Sequence, residues 1–182
     1  MSQRLIGNLF GYQVAWFATV LGAAHSQTTL GSTIALAAIA LHLRNSHFRN
    51  AESLMVLITL LVGLVVESLL GLRELILYEG PSFVEHIPLW ILVLWAAFGT
   101  TLNTALKWLQ SRLITASLFG AICGPLSWYA GAKLGALKLP VPYEGYLALS
   151  IAWAISMPFL SWMTRWLFSR SQLINERKNT HD

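Results

Sequence analysis

The stretch 54-LMVLITLLVGLVVESLLGLREL-75 decides the reading of this chain. From Leu54 to Val66 it is apolar apart from Thr59, with Gly63 inside the run. A carboxylate, Glu67, then appears with apolar residues on both sides. About 20 apolar residues suffice for a helix to cross a bilayer core, so the segment reads as a transmembrane helix that carries an acid. Gly63, Gly71 and Glu74 share the helical stripe of Glu67. Small residues on that stripe point the acid into a helix bundle and away from lipid. An ionisable group inside a membrane is costly and marks a candidate functional site.

Composition agrees. The chain is 55% hydrophobic and 11% charged, whereas a soluble domain carries about 25% charged residues. Its mean hydropathy is +0.59. The 182 residues leave no room for a separate soluble module beside a membrane domain. The net charge of +4 does not signal nucleic acid, because the basic residues sit singly at the ends of apolar runs. The single cysteine, Cys123, rules out an internal disulfide.

Six apolar spans follow, at 5–24, 28–44, 53–72, 88–106, 113–133 and 145–166. The expected fold is all-α: a polytopic bundle of six transmembrane helices over residues 1–168, with a polar cytoplasmic tail at 169–182 that is expected to fray. The first run is longer than the roughly 7–15 residues of a signal-peptide core and contains Asn8 and Gln13, so it is read as uncleaved. With the N-terminus inside, nine of the twelve Lys and Arg residues fall on the cytoplasmic side. That bias places both termini in the cytoplasm.

Polar positions within the spans supply the candidate sites. Asn8, Tyr12, Trp16, Thr19 and Ala23 form one stripe that should face other helices. Gln13 is expected to bond between helices. An outer cluster of Glu67, Ser127, Trp128, Tyr129, Ser150 and Trp153, with His25 and Lys133 at its mouth, is expected to form a pocket roofed by aromatics. A cytoplasmic cluster of Asn8, His42, Arg44, Asn103 and Lys107 could hold a lipid headgroup phosphate. In the fourth span, Thr100, Asn103, Thr104 and Lys107 would form a polar helical stripe. Trp90 and Trp108 would mark its two membrane boundaries. Residues 72–78 could continue as a short interfacial helix before the Gly80-Pro81 turn, within an outer loop made acidic by Glu74, Glu79 and Glu85. Pro125 and Pro158 should kink the fifth and sixth spans and open space between them. Gly120, Gly124, Gly131 and Gly135 lie on one face that a helix, or a partner protein, could approach closely.

Several chemistries lack their motifs. There is no HExxH, and His25 and His42 lie at opposite ends of one helix, about 25 Å apart by helix rise, too far to share a metal. His47, His86 and His181 fall in loops or the tail. No GxSxG and no haem, flavin or nucleotide fingerprint is present, so no metal or cofactor is expected.

Four blocks taken together, FGYQVAWFATVLGAAHS, the LHLR end of the second span, PLWILVLWAAFGTTLNTALKWL and GPLSWYAGAKLGAL, resemble a family of small bacterial inner-membrane proteins catalogued as a domain of unknown function. The resemblance implies a bacterial inner-membrane location and one six-helix unit, and no established activity. Relatives are often encoded beside lipid-modifying genes of the cyclopropane-fatty-acid-synthase type, which weighs toward lipid. The leading expectation is a protein that binds membrane lipid or a small amphiphile in a helix-lined cavity, as an accessory or carrier in envelope lipid maintenance. The alternatives are a proton- or cation-coupled transporter using Glu67, a lipid-modifying enzyme using Glu67, Tyr129 and His25, and a scaffold that packs through the glycine face.

Overall fold

The computed structural model describes residues 3–84 and 86–179, with side chains described up to residue 173. Glu85 and His181 lie outside the described residues. Six α-helices form the body: α1 (Gln3–Ala24), α2 (Thr28–Arg44), α3 (Arg49–Gly71), α4 (Leu89–Gly99), α5 (Leu113–Lys133) and α6 (Pro142–Asn179). Four of them, α1, α3, α5 and α6, are long and apolar enough to cross a membrane; α2 and α4 are shorter. The α6 helix continues to Asn179, into the segment expected to fray.

The shortest helix is the centre of the molecule. Nine of the eleven residues of α4 are buried, on every side of the helix, as expected for a helix that is apolar all round. Helices α1, α2 and α3 pack around it. This corrects two expectations. Trp90 is not a boundary residue: it is 1% exposed and donates its indole N–H to the Glu79 carbonyl at 2.9 Å. The fourth span also does not run helical to residue 106. It stops at Gly99, where Thr100 and Thr101 turn their hydroxyls back onto the carbonyls of Ala97 and Phe98, each at 2.7 Å. Threonine hydroxyls that bond the preceding turn compete with helix continuation. The chain then passes through turns and one 3-10 turn at Lys107–Leu109, so Thr100, Asn103, Thr104 and Lys107 do not form a helical stripe. Backbone freed from a helix inside a bundle must be satisfied by protein. Asn8 Nδ2 donates to the Thr100 carbonyl at 3.0 Å and Gln110 Nε2 to that of Leu102 at 3.0 Å.

At the other end, α3 closes with Glu74 in the left-handed region (φ 52°) and the Leu75 N–H on the Leu70 carbonyl at 3.1 Å. That pattern is a Schellman stop, and it is why no interfacial helix follows. Instead β1 (Leu77–Tyr78) pairs antiparallel with β4 (Leu137–Lys138), Tyr78 opposite Leu137. A second small hairpin joins β2 (Ser82–Val84) to β3 (Ile87–Pro88). Lys138 Nζ reaches Glu79 Oε1 at 2.8 Å, and that contact raises the exposed ammonium above its usual range.

Glycine sets the close approaches. A Cβ at Gly31 would lie 2.2 Å from the Ala18 carbonyl oxygen, so α1 and α2 touch backbone to backbone. A Cβ at Gly120 would meet the Trp153 carbonyl and Met157, and one at Gly124 would overlap the Trp153 ring at 2.3 Å. That part of the glycine face is therefore occupied by α6 of the same chain. Gly135 lies beyond α5 in a left-handed turn (φ 88°). Pro125 and Pro158 both sit inside continuous helices.

Replacing Gly124 by alanine is expected to lower Tm, since overpacking of this kind costs about 1–3 kcal/mol. Gly7→Ala, where an added Cβ meets nothing within 4 Å, should be neutral or raise Tm through helix propensity. Thermal melts of the two variants that shift together would contradict this packing.

Candidate functional site

Glu67 is 1% exposed and sits where α3, α4 and the β1 strand meet. Trp95 of α4 donates its indole N–H to Oε1 at 2.9 Å. The Tyr78 hydroxyl of β1 donates to Oε2. Tyr78 in turn accepts the indole N–H of Trp128, from α5, at 2.8 Å. Burial, then the neighbouring carboxylate, push the Tyr78 phenol well above its usual range, so it remains a donor. Gly63, one turn before Glu67, makes the seat for Trp95, since a Cβ there would sit 2.2 Å from the indole. Among the described residues Glu67 makes no ion pair. A carboxylate removed from water needs donors in its place; α4 and β1 supply one each, and α5 backs the second by donating to Tyr78.

Behind Trp95 lies a stack of aromatics. Trp95 and Trp153 are parallel, with centroids 4.6 Å apart. Trp128 meets Trp153 edge-on at 5.7 Å, and Phe98 does so at 5.1 Å. Trp153 Nε1 is buried without a hydrogen-bond partner among the described residues. These rings form one side of a cavity of about 550 Å³ between α1 and α5. The two helices share few contacts along their length and are tied by the indole N–H of Trp16 on Ser127 Oγ at 2.8 Å. The floor is Trp95 and Phe98 of α4 with Trp153 and Met157 of α6, and the exposed Leu9, Phe17 and Leu126 mark the rim. Gln13 and Cys123 also line it. Gln13 is exposed, and among the described residues no hydrogen bond joins it to a neighbouring helix, contrary to expectation.

The outer cluster is therefore assembled in part. Trp128, Trp153 and Ser127 join the cavity wall, and Glu67 stands behind it. Tyr129 does not converge on Glu67: it is 48% exposed and faces Lys133, whose Nζ lies 5.4 Å from the ring centroid. His25 is exposed and turned onto its own Leu21 carbonyl at 2.9 Å. Ser150 is half-buried, and the side chains bonded to Glu67 among the described residues are Tyr78 and Trp95. The Glu67, Tyr129 and His25 arrangement required for enzyme chemistry is not formed. A helical residue points where its register points; Tyr129 follows Trp128 by one position and so leaves the bundle.

A second network lies at the opposite end of α3. The His42 Nε2–H faces Glu52 Oε2, Arg4 Nη2 lies 3.4 Å from Glu52 Oε1, and Asn8 Nδ2 approaches His42 Nδ1 at 3.3 Å. The Thr100 carbonyl can only accept, which fixes the Asn8 amide nitrogen on that side and makes His42 Nδ1 the acceptor of its other hydrogen. Asn8 and His42 thus meet as expected and line a second cavity of about 600 Å³ between α1 and α2. Arg44 and Lys107 are exposed and apart, and Asn103 contacts Gln110 at 3.4 Å. Glu52 takes up His42 together with Arg4, so the residues expected to form this cluster do not all converge on one point. Among the described residues no group of three or more His, Cys, Asp or Glu could hold a metal ion.

Sequence reading missed Glu52, Tyr78 and Trp95. Glu52 was legible as a carboxylate in the first turn of an apolar helix, a position that favours acids. Tyr78 had no local signal, since its role depends on β1 pairing with β4 across about sixty residues of sequence.

These features define an α-helical bundle of membrane-protein type, built around a sheltered carboxylate with an aromatic cavity beside it. The chain belongs to the family described as a protein of unknown function, DUF2878, whose match spans residues 5–159. No curated protein and no solved structure matches the chain.

Tyr78→Phe leaves Glu67 short of a donor and the Trp128 N–H without an acceptor, and should cost about 1–3 kcal/mol. Combined with Trp128→Phe, the two losses should be non-additive by at least about 0.5 kcal/mol, whereas Tyr129→Phe should be near neutral. Equal effects of Tyr78→Phe and Tyr129→Phe in denaturation assays would refute the network. At the other end, Glu52→Gln and His42→Gln should likewise couple, and strictly additive losses would show that the two side chains do not meet.

Proposed function

We propose that this protein binds lipid or a small amphiphile in the cleft between α1 and α5, as an accessory or carrier in the lipid maintenance of a bacterial inner membrane. The observation that supports this most directly is the cavity. Its volume, about 550 Å³, falls within the range of about 300–1,000 Å³ usual for small-molecule sites. It is bordered by two helices apolar enough to cross a membrane, and its rim residues are the exposed, apolar kind that face acyl chains. An amphiphile could enter sideways from the bilayer without crossing water. In this reading all six helices cross or enter the membrane, with both termini in the cytoplasm. The central α4 and the turns that follow it complete one crossing inside a shell of other helices, where irregular backbone is tolerated.

The test uses the full chain, extracted with its surrounding lipid into polymer nanodiscs. Native mass spectrometry after release is expected to show a retained lipid or amphiphile. Cys123→Trp, which fills the cavity wall, should reduce its occupancy severalfold, while Ile114→Trp, on an exposed position of the same helix, should leave it unchanged. Equal retention by both variants and the parent chain would contradict the proposal.

A further inference from the structure

We infer that the ligand of the cavity between α1 and α5 carries a neutral carbonyl oxygen, of the acyl-ester kind, that accepts the indole N–H of Trp153; this rests on the amphiphile-binding reading above and adds the group by which the ligand is chosen. Four indoles line the cavity: Trp16, Trp95, Trp128 and Trp153. The chain gives three of them an acceptor, Ser127 for Trp16, Glu67 for Trp95 and Tyr78 for Trp128. The fourth differs. Trp153 is 6% exposed, and its Nε1 has no hydrogen-bond partner among the described residues. Buried polar groups are paired in the great majority of cases, so an exception calls for a cause.

Packing holds Trp153 in place. One face stacks on Trp95 with centroids 4.6 Å apart, and Trp128 and Phe98 meet the ring edge-on. Its five-membered ring lies against Gly124, where an added Cβ would sit 2.4 Å from Cδ1, the carbon bonded to Nε1. The N–H is therefore close to Gly124, which itself lines the cavity. Water is a poor acceptor for it, because a buried water needs about 2–4 polar partners. Of the polar side chains on the cavity wall, Ser127 accepts from Trp16, Thr101 donates to the Phe98 carbonyl, and Gln13 is exposed. A carbonyl oxygen on an apolar chain needs only the one donor. It brings no O–H or N–H that would itself go unpaired, as an alcohol or an amine would. Unlike a carboxylate or a phosphate, it has no charge to desolvate. A mostly apolar cavity with one placed polar group is the usual way a site fixes the orientation of its ligand, and Trp153 is that group here.

The probes are methyl decanoate and its hydrocarbon isostere 3-methyldodecane. Each is titrated by tryptophan fluorescence against the full chain in nanodiscs of a dialkyl-ether phospholipid, which has no carbonyl of its own, with partition into empty discs subtracted. The ester is expected to bind about fivefold more tightly than the hydrocarbon, as one net hydrogen bond allows. In 15N–1H spectra of the indoles, the signal that is lost in Trp153→Phe should move downfield with the ester and not with the hydrocarbon. Trp153→Phe should make the two affinities equal, whereas Phe98→Leu, which alters the wall without removing a donor, should weaken both probes alike. Discs of a diester phospholipid separate two sources of the carbonyl. A Trp153 signal already downfield before any probe supports the inference with bilayer lipid as the ligand, and one that moves only with methyl decanoate supports it with a single-chain ester. Equal binding of the two probes by the parent chain, or a Trp153 signal that the ester leaves in place, overturns the inference while the amphiphile cavity stands. If neither probe binds, the cavity reading falls as well. Should Trp153→Phe fail to fold, the comparison of the two probes on the parent chain still decides.

Discussion

A carboxylate kept dry inside a helix bundle has to be solvated by the chain itself, and the arrangement around Glu67 follows from that demand. Its two oxygens require donors from different directions. One comes from Trp95, so α4 must lie against α3 at the height of Gly63, where the absence of a side chain admits the indole. The other comes from Tyr78, so the chain leaving α3 cannot drift outward as a helix. It stops, reverses at Glu74 and is held in place by pairing with the strand after α5. Trp128 then closes the set by donating to Tyr78. Three helices and a strand are thereby tied to one side chain.

The same arrangement shapes the space next to it. With Trp95 and Trp128 fixed at their N–H ends, their rings are held at set angles, and Trp153 fits between them by stacking on one and meeting the other edge-on. Pairs of this kind each add about 0.5–1.5 kcal/mol beyond their burial. Gly124 admits Trp153 as Gly63 admits Trp95. The aromatic mass draws α4, α5 and α6 together, and α1 meets α5 through Trp16 on Ser127. The gap that remains is the cavity.

What could be read beforehand divides along a physical line. Helices α1, α2, α3 and α5 follow from unbroken apolar runs, and the burial of Glu67 from the glycines on its stripe. The buried stripe of α1, with Asn8, Thr19 and Ala23 inside, follows from spacing alone. Hydropathy fails where structure depends on competition or on distant partners. The run through residues 88–106 is apolar enough for one helix, but Thr100 and Thr101 satisfy the preceding carbonyls and end it early. The loop 72–88 has helix-forming residues, yet its course is set by β4 and by Glu67. Counting Lys and Arg alone hides the acid that pairs with them, which is how Glu52 escaped notice while His42 and Asn8 did not. Tyr129 and Trp128 are adjacent in sequence, and only register separates the one that faces Glu67's network from the one that faces outward.

The most direct test of the central claim is a dipolar solid-state NMR measurement in lipid bilayers, with tryptophan indoles labelled in 15N and glutamate carboxyls in 13C. The account predicts that one indole nitrogen lies within about 4 Å of a glutamate side-chain carboxyl carbon, as an N–H···O bond requires, and that this signal disappears in Trp95→Phe. Finding no indole nitrogen that close to a glutamate carboxyl would mean that Glu67 is not held as described, and the organisation derived from it would have to be abandoned.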